Sequence, residues 1–100
     1  MDKVSIIIPV RGEQFEPVAG GGSVLQRTVD SIYANVTGDF EVIVVFDGHP
    51  YQTVTPKENL IVMYEREWRG TKIVFNKAAK MATGDWLMKC DAHCAFSPGF

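Results

Sequence analysis

Two nearly continuous apolar runs, Val4–Val10 and Phe40–Phe46, constrain the fold of this chain more than any other feature. A strand with one solvated face alternates apolar and polar residues, whereas a strand covered on both faces is apolar throughout. Two shorter runs, Leu60–Tyr64 and Trp86–Cys90, predict a third and a fourth strand. The runs therefore predict an α/β protein with a parallel sheet covered by helices on both sides.

Two segments with helical spacing separate these strands. The first begins at a capping box formed by Ser23 and Gln26 and ends at residues 37–39. The second is predicted over residues 71–83, with Gly84 as its C′ stop. The element order is β-α-β-β-α-β, which implies parallel pairing with right-handed crossovers. The link between the second and third strands shows no helical period.

The most economical arrangement of these elements has strand order 3-2-1-4, which is half of a doubly wound sheet. In such sheets ligands bind outside the carboxyl ends of the strands, where the strand order reverses. Here the reversal falls between strands 1 and 4, and strand 2 ends next to it. The residues at or just after these three strand ends are Pro9, Val10, Arg11, Asp47, Asp91 and His93.

The Asp-x-His motif after strand 4 predicts a metal site. In an extended segment alternate side chains share a face, so Asp91 and His93 point the same way. A mixed carboxylate and imidazole pair favours Mn²⁺ over Mg²⁺, which prefers oxygen ligands. Two alternatives remain: an ordinary polar turn, or a zinc site built from Cys90, His93 and Cys94. Zinc is disfavoured because no second Cys/His pair lies at zinc-finger spacing.

Composition excludes several classes of protein. The net charge of −2 gives no support for a nucleic-acid partner. No apolar run approaches the roughly 20 residues of a membrane helix. Two cysteines do not make a disulfide framework, so a reducing, cytoplasmic compartment is expected.

Several motifs together resemble the N-terminal half of a family 2 GT-A glycosyltransferase. Residues 4–10 resemble its opening strand, residues 44–48 its acidic VVDDGS element, and residues 76–91 its N-x-G…A-T-G-D…L-D-x-D stretch. Phe46 stands where the acidic element carries its first acid. Residues 91–94, Asp-Ala-His-Cys, are similar to the Asp-Ser-His-Cys run of the polypeptide N-acetylgalactosaminyltransferases.

This resemblance implies a Rossmann-like GT-A domain that binds a nucleotide-diphosphate sugar, a UDP-sugar above all, through a divalent metal. The metal ligands would be Asp91 and His93. The nucleoside would lie against Asp47 and the backbone of residues 9–11, with Arg69 and Lys72 as candidates for the phosphates. No catalytic residue is assigned.

The resemblance covers residues 1–100 as a single donor-binding domain, which we expect to lack the acceptor-binding half and to transfer no sugar alone. The alternative is a non-catalytic nucleotide-binding or assembly module that forms a homodimer through uncovered apolar surface. A third interpretation, a nucleotidyltransferase, predicts a glycine-rich basic loop directly after strand 1. Residues 9–13 do not have that composition.

Overall fold

A computed structural model of the chain describes residues 2–10, 24–48, 54–67 and 69–90. The elements are β1 (Lys3–Val10), α1 (Val24–Asn35), β2 (Asp39–Asp47), β3 (Leu60–Glu65), α2 (Thr71–Met81) and β4 (Trp86–Lys89). All strand pairs are parallel, and the sheet order is β3-β2-β1-β4. This confirms the predicted α/β, Rossmann-like fold and its strand order.

The two long apolar runs form the centre of the sheet. β1 lies between β2 and β4, and β2 lies between β1 and β3. Residues 5–10 of β1 and residues 41–47 of β2 are all buried. Both faces of these strands are covered, which is why neither strand alternates apolar and polar residues.

The helices cover opposite faces of the sheet. One core cluster joins alternate strand residues to α1 and contains Ile6, Ile8, Val42, Val44, Leu25, Val29 and Ile32. The other joins the intervening strand residues to α2 and contains Ile7, Ile43, Val45, Val74 and Ala78. The chain steps across the sheet in opposite directions from β1 to β2 and from β3 to β4. Right-handed crossovers therefore place α1 and α2 on different faces.

The connection from β2 to β3 contains no helix in its described part, residues 54–59, as the missing helical period predicts. These residues run along α1 instead. The backbone N–H of Thr55 donates to Oε1 of Gln26 at 2.9 Å, and the Tyr33 hydroxyl donates to the Glu58 carbonyl at 2.7 Å. α1 thus positions the described part of this crossover.

The predicted end of the second helix is wrong. α2 ends at Met81, and Ala82 is already extended, with φ −68° and ψ 141°. Gly84 is therefore not the C′ stop. A Cβ at Gly84 would lie 2.5 Å from the Ser5 hydroxyl and 2.8 Å from the Ser5 nitrogen. Glycine is required there because β1 approaches too closely for any side chain.

The observed start of α1 agrees with its predicted start better than the observed end of α2 agrees with its predicted end. α1 begins at Val24, directly after Ser23, although that predicted cap lies outside the described residues. Neither α1 nor α2, the helices of the described ranges, is long and apolar enough to cross a membrane.

A buried carboxylate fixes the segment after α2. Glu41, which is 4% exposed, accepts hydrogen bonds from the Ser5 hydroxyl at 2.5 Å and from the Thr83 N–H at 2.6 Å. The Thr83 hydroxyl donates at 3.0 Å, and Nζ of Lys3 lies 3.8 Å away. Burial raises the pKa of Glu41, but these hydrogen bonds and Lys3 outweigh burial and hold the pKa below its ordinary value.

Candidate functional site

The carboxyl ends of the four parallel strands lie at one edge of the sheet. β1 ends there at Val10, β2 at Asp47 and β3 at Glu65, and α2 begins there because it follows β3. The strand order reverses between β1 and β4. This edge is the place where such a fold opens a crevice for a ligand.

Pro9 is the next residue of β1 that faces β4 after the last described pair between these strands. The last pair between these strands is Ile7 with Lys89, and the Cys90 N–H donates to the Ile7 carbonyl at 2.9 Å. In a parallel strand alternate residues direct their backbone groups to the same neighbour, so Pro9 also faces β4. Pro9 has no N–H, so it can donate no backbone hydrogen bond toward β4.

β1 pairs with β2 as far as Val10 opposite Phe46, three residues beyond Ile7. The crevice therefore lies on the β4 side of the end of β1. The side chains of Pro9 and Val10 are buried, so these two candidate residues offer a ligand only their backbone atoms. The third candidate of this group, Arg11, lies outside the described residues.

Asp47 ends β2 and is 3% exposed. Its Oδ1 accepts a hydrogen bond from the Arg69 N–H at 2.6 Å, and its Oδ2 accepts one from the Gly70 N–H at 2.8 Å. The Gly48 N–H adds a bond to the Glu65 carbonyl at 3.1 Å. The end of β2 therefore holds both ends of the loop before α2. The pattern Asp47-Gly48 is typical of a turn, but it does not indicate these partners, which are 22 and 23 residues away.

The two basic candidate residues lie next to these bonds: Arg69 lies near the end of the loop, and Lys72 is in the first turn of α2. Arg69 and Lys72 are exposed at the start of α2, and neither forms an ion pair within the described ranges. Lys77, one turn further along α2, is different because its Nζ lies 2.6 Å from the Glu65 carboxylate. Within the described ranges, three exposed cations near the start of α2 thus form no ion pair: Arg66, Arg69 and Lys72.

Phe46 occupies the position where the acidic element of the resembled family carries its first acid. Its ring is fully buried in the core on the α1 side and stacks on Tyr64, with 5.5 Å between ring centroids. Asp47 points to the opposite face of β2, toward α2. Phe46 therefore acts as a core residue, and Asp47 alone supplies a carboxylate at this strand end.

The predicted metal ligands Asp91 and His93 lie outside the described residues. Within the described part of the chain, no three His, Cys, Asp or Glu side chains group together as metal ligands. Cys90 is 3% exposed and packs in the core on the α1 side, as expected for a small apolar residue rather than a zinc ligand. Its bond to Ile7 fixes the residue before Asp91 beside β1 at the carboxyl edge.

Comparison with known protein families gives one family match, which includes residues of all the strands and helices described above. The profile described as glycosyl transferase family 2 matches residues 5–100, from β1 through the Asp-x-His motif. No individual curated protein gives a significant match. The profile spans nearly the entire chain and includes every element that forms the crevice. The chain therefore belongs to glycosyl transferase family 2.

Proposed function

We propose that this chain binds a nucleotide-diphosphate sugar, with a UDP-sugar as the donor, in the crevice between β1 and β4. The observation that carries the proposal is the reversal of strand order between β1 and β4, in a chain that belongs to a glycosyl transferase family. Backbone atoms of residues 9–11 and the Asp47 region would hold the nucleoside, and Arg69 and Lys72 would meet the phosphates.

The proposal includes a divalent metal held by Asp91 and His93. Its support is the position of Cys90, whose N–H bond to Ile7 brings the chain to the crevice one residue before Asp91. The carboxylate and imidazole pair favours Mn²⁺ over Mg²⁺. The similarity of residues 91–94 to the Asp-Ser-His-Cys run points to the same chemistry. A metal there would act as a Lewis acid on the leaving diphosphate.

Calorimetric titration with Mn²⁺, with and without UDP, tests this function. We expect weak Mn²⁺ binding alone and tighter binding with UDP, because nucleotide oxygens complete the metal's coordination. The double variant Asp91→Ala/His93→Ala should abolish the UDP-dependent part. Asp30→Ala is the control because Asp30 is an exposed acid on α1 that pairs with Lys57. UDP-dependent binding that survives the double variant would refute the metal assignment.

A second candidate function is an assembly module, and it is favoured by one observation. β4 is an edge strand of the described sheet, and it exposes Trp86 by 61% and Leu87 by 49%. Antiparallel pairing of β4 with a second copy, centred on Leu87, would place each exposed Asp85 opposite Lys89 of the other copy. This pairing is self-complementary in charge and covers both apolar side chains.

Sedimentation velocity tests the assembly. We expect a dimer for the wild type and a monomer for Leu87→Lys, because like charges would meet at the centre of the pairing. Met81→Lys is the matched control, since Met81 is equally exposed, at 53%, but lies on α2. A wild-type monomer, or the same result for both variants, would rule out self-assembly through β4.

A further inference from the structure

We propose that Asp47 is a positioning residue of the donor site, which acts through the backbone of Arg69 and Gly70. The inference rests on the proposed function and refines it. In this role Asp47 does not read the nucleoside; it sets the place and direction of the segment that carries Arg69 and Lys72 to the diphosphate.

The contacts of the carboxylate support this role. Both oxygens of Asp47 accept short bonds from consecutive backbone N–H groups, at 2.6 and 2.8 Å, and the side chain is almost fully buried. Bonds between an ionised carboxylate and backbone N–H groups are stronger than neutral ones. Because of this geometry and burial, the Asp47 carboxylate binds the loop backbone, and little of it is exposed to a nucleotide base.

This contact lies at the start of α2. No side chain forms a hydrogen-bonded cap at its first turn, where Gly70 is the N-cap residue. Asp47, on the neighbouring strand, instead accepts from the N–H of this N-cap residue and from that of Arg69 before it. A carboxylate at this end of a helix also interacts favourably with the helix dipole. Arg69 precedes and Lys72 follows this fixed point, so their positions depend on it.

Gly70 is the second residue on which this positioning role depends. Its backbone has φ 99° and ψ 150°, a combination that is essentially restricted to glycine. In this conformation the consecutive N–H groups of Arg69 and Gly70 both bond to the Asp47 carboxylate. Gly38 provides a matched comparison at the other edge of the sheet. It also has positive φ, 89°, and a Cβ at either glycine would meet nothing within 4 Å.

Glu41 provides a matched carboxylate. It lies on the same face of β2 as Asp47 and bonds the Thr83 N–H just beyond the far end of α2. Both carboxylates stabilise the attachment of α2 to the sheet, but only Asp47 lies at the carboxyl edge. A purely structural role would thus give Asp47→Asn and Glu41→Gln the same consequences for ligand binding.

The test compares three probes, UDP, uridine and inorganic pyrophosphate, at a fixed divalent-metal concentration. Asn keeps one acceptor oxygen but places an NH₂ group against the second backbone N–H. We expect Asp47→Asn to weaken UDP and pyrophosphate about tenfold and leave uridine unchanged, the scale of one charge-assisted bond. Glu41→Gln should leave all three affinities unchanged. A loss for uridine and UDP with pyrophosphate unaffected would instead show direct contact with the nucleoside and overturn the inference.

Gly70→Ala gives an independent test in case Asp47→Asn does not fold. It keeps the carboxylate but distorts the backbone that the carboxylate holds, so we expect the same loss for UDP and pyrophosphate. Gly38→Ala should bind all three probes like the wild type. Unchanged UDP and pyrophosphate affinities in Gly70→Ala overturn the positioning role. A wild type that binds none of the probes refutes the proposed function itself, and the inference with it.

Discussion

Replacing Glu41 by Gln tests how the segment after α2 is held. Oε2 of Glu41 accepts bonds from both the Ser5 hydroxyl and the Thr83 N–H, and Oε1 accepts one from the Thr83 hydroxyl. Gln retains one acceptor oxygen and loses the charge. Bonds to charged groups contribute about 1.5–3 kcal/mol and neutral ones about 1 kcal/mol, so weakening the two Oε2 bonds should cost about 1–4 kcal/mol. That is a large part of the roughly 5–15 kcal/mol that stabilises a domain.

The loss should depend on pH in a definite direction. The folded-state pKa of Glu41 lies below the ordinary value of 4.5, so the folded protein binds fewer protons there than the unfolded chain. Its stabilisation is therefore complete above about pH 4.5 and is lost as the pH falls through the folded pKa. Protonated Glu41 is neutral, as Gln is. The stability gap between wild type and Glu41→Gln should thus be widest at neutral pH and narrow in acid.

Urea unfolding followed by tryptophan fluorescence, at pH values from about 7 to 3, measures this gap. Glu67→Gln is the control, because Glu67 is exposed and should give no gap at any pH. A gap for Glu41→Gln that stays constant across the pH range would refute the assignment of the effect to the ionised carboxylate. No gap at pH 7 would refute the hydrogen-bond argument itself.

Two further substitutions test the packing around α2. Gly84→Ala places a Cβ 2.5 Å from the Ser5 hydroxyl, and we expect a loss of about 2–4 kcal/mol in the free energy of unfolding. Gly38→Ala meets only backbone strain and should lose about 1–2 kcal/mol, so equal losses would contradict the close-approach argument. Ile43→Ala opens a cavity beneath α2 and should cost about 2–5 kcal/mol by urea titration. Ile73→Ala, at a side chain that is 49% exposed, should cost far less, and a comparable loss would count against the assigned core.

The sheet could be predicted from the sequence because its main signals are local. The run 4–10 is nearly continuously apolar, which indicates that β1 is covered on both faces, and the strand order is the most economical arrangement of the predicted elements. The crevice follows from that order, and Pro9 within a central strand is a local clue to where it opens. The termini of α1 and α2 came within two residues for the same reason, since helical spacing is read from neighbours along the chain.

The roles of Gly84 and Asp47 could not be predicted because their partners are distant in sequence. A glycine after a helical run fits a C′ stop equally well, and only the contact with Ser5, 79 residues away, decides between the two roles. The pattern Asp47-Gly48 fits a turn, and nothing nearby indicates that Arg69 donates to the carboxylate. Tertiary partners of polar residues leave no periodic signal, which is why hydrophobic patterning predicted the scaffold better than the site.

Glu41 and Asp47 together set the length of α2, because each carboxylate on β2 holds one end of the helix. Six residues of strand separate the two carboxylates, a span of about 20 Å. The eleven residues of α2 rise about 16 Å, and the flanking residues that bond the carboxylates make up the difference. One inserted residue would lengthen the helix by about 1.5 Å and turn its end by about 100°, so one attachment would be lost. Changes of length should therefore be tolerated in the connection between β2 and β3 and selected against within α2.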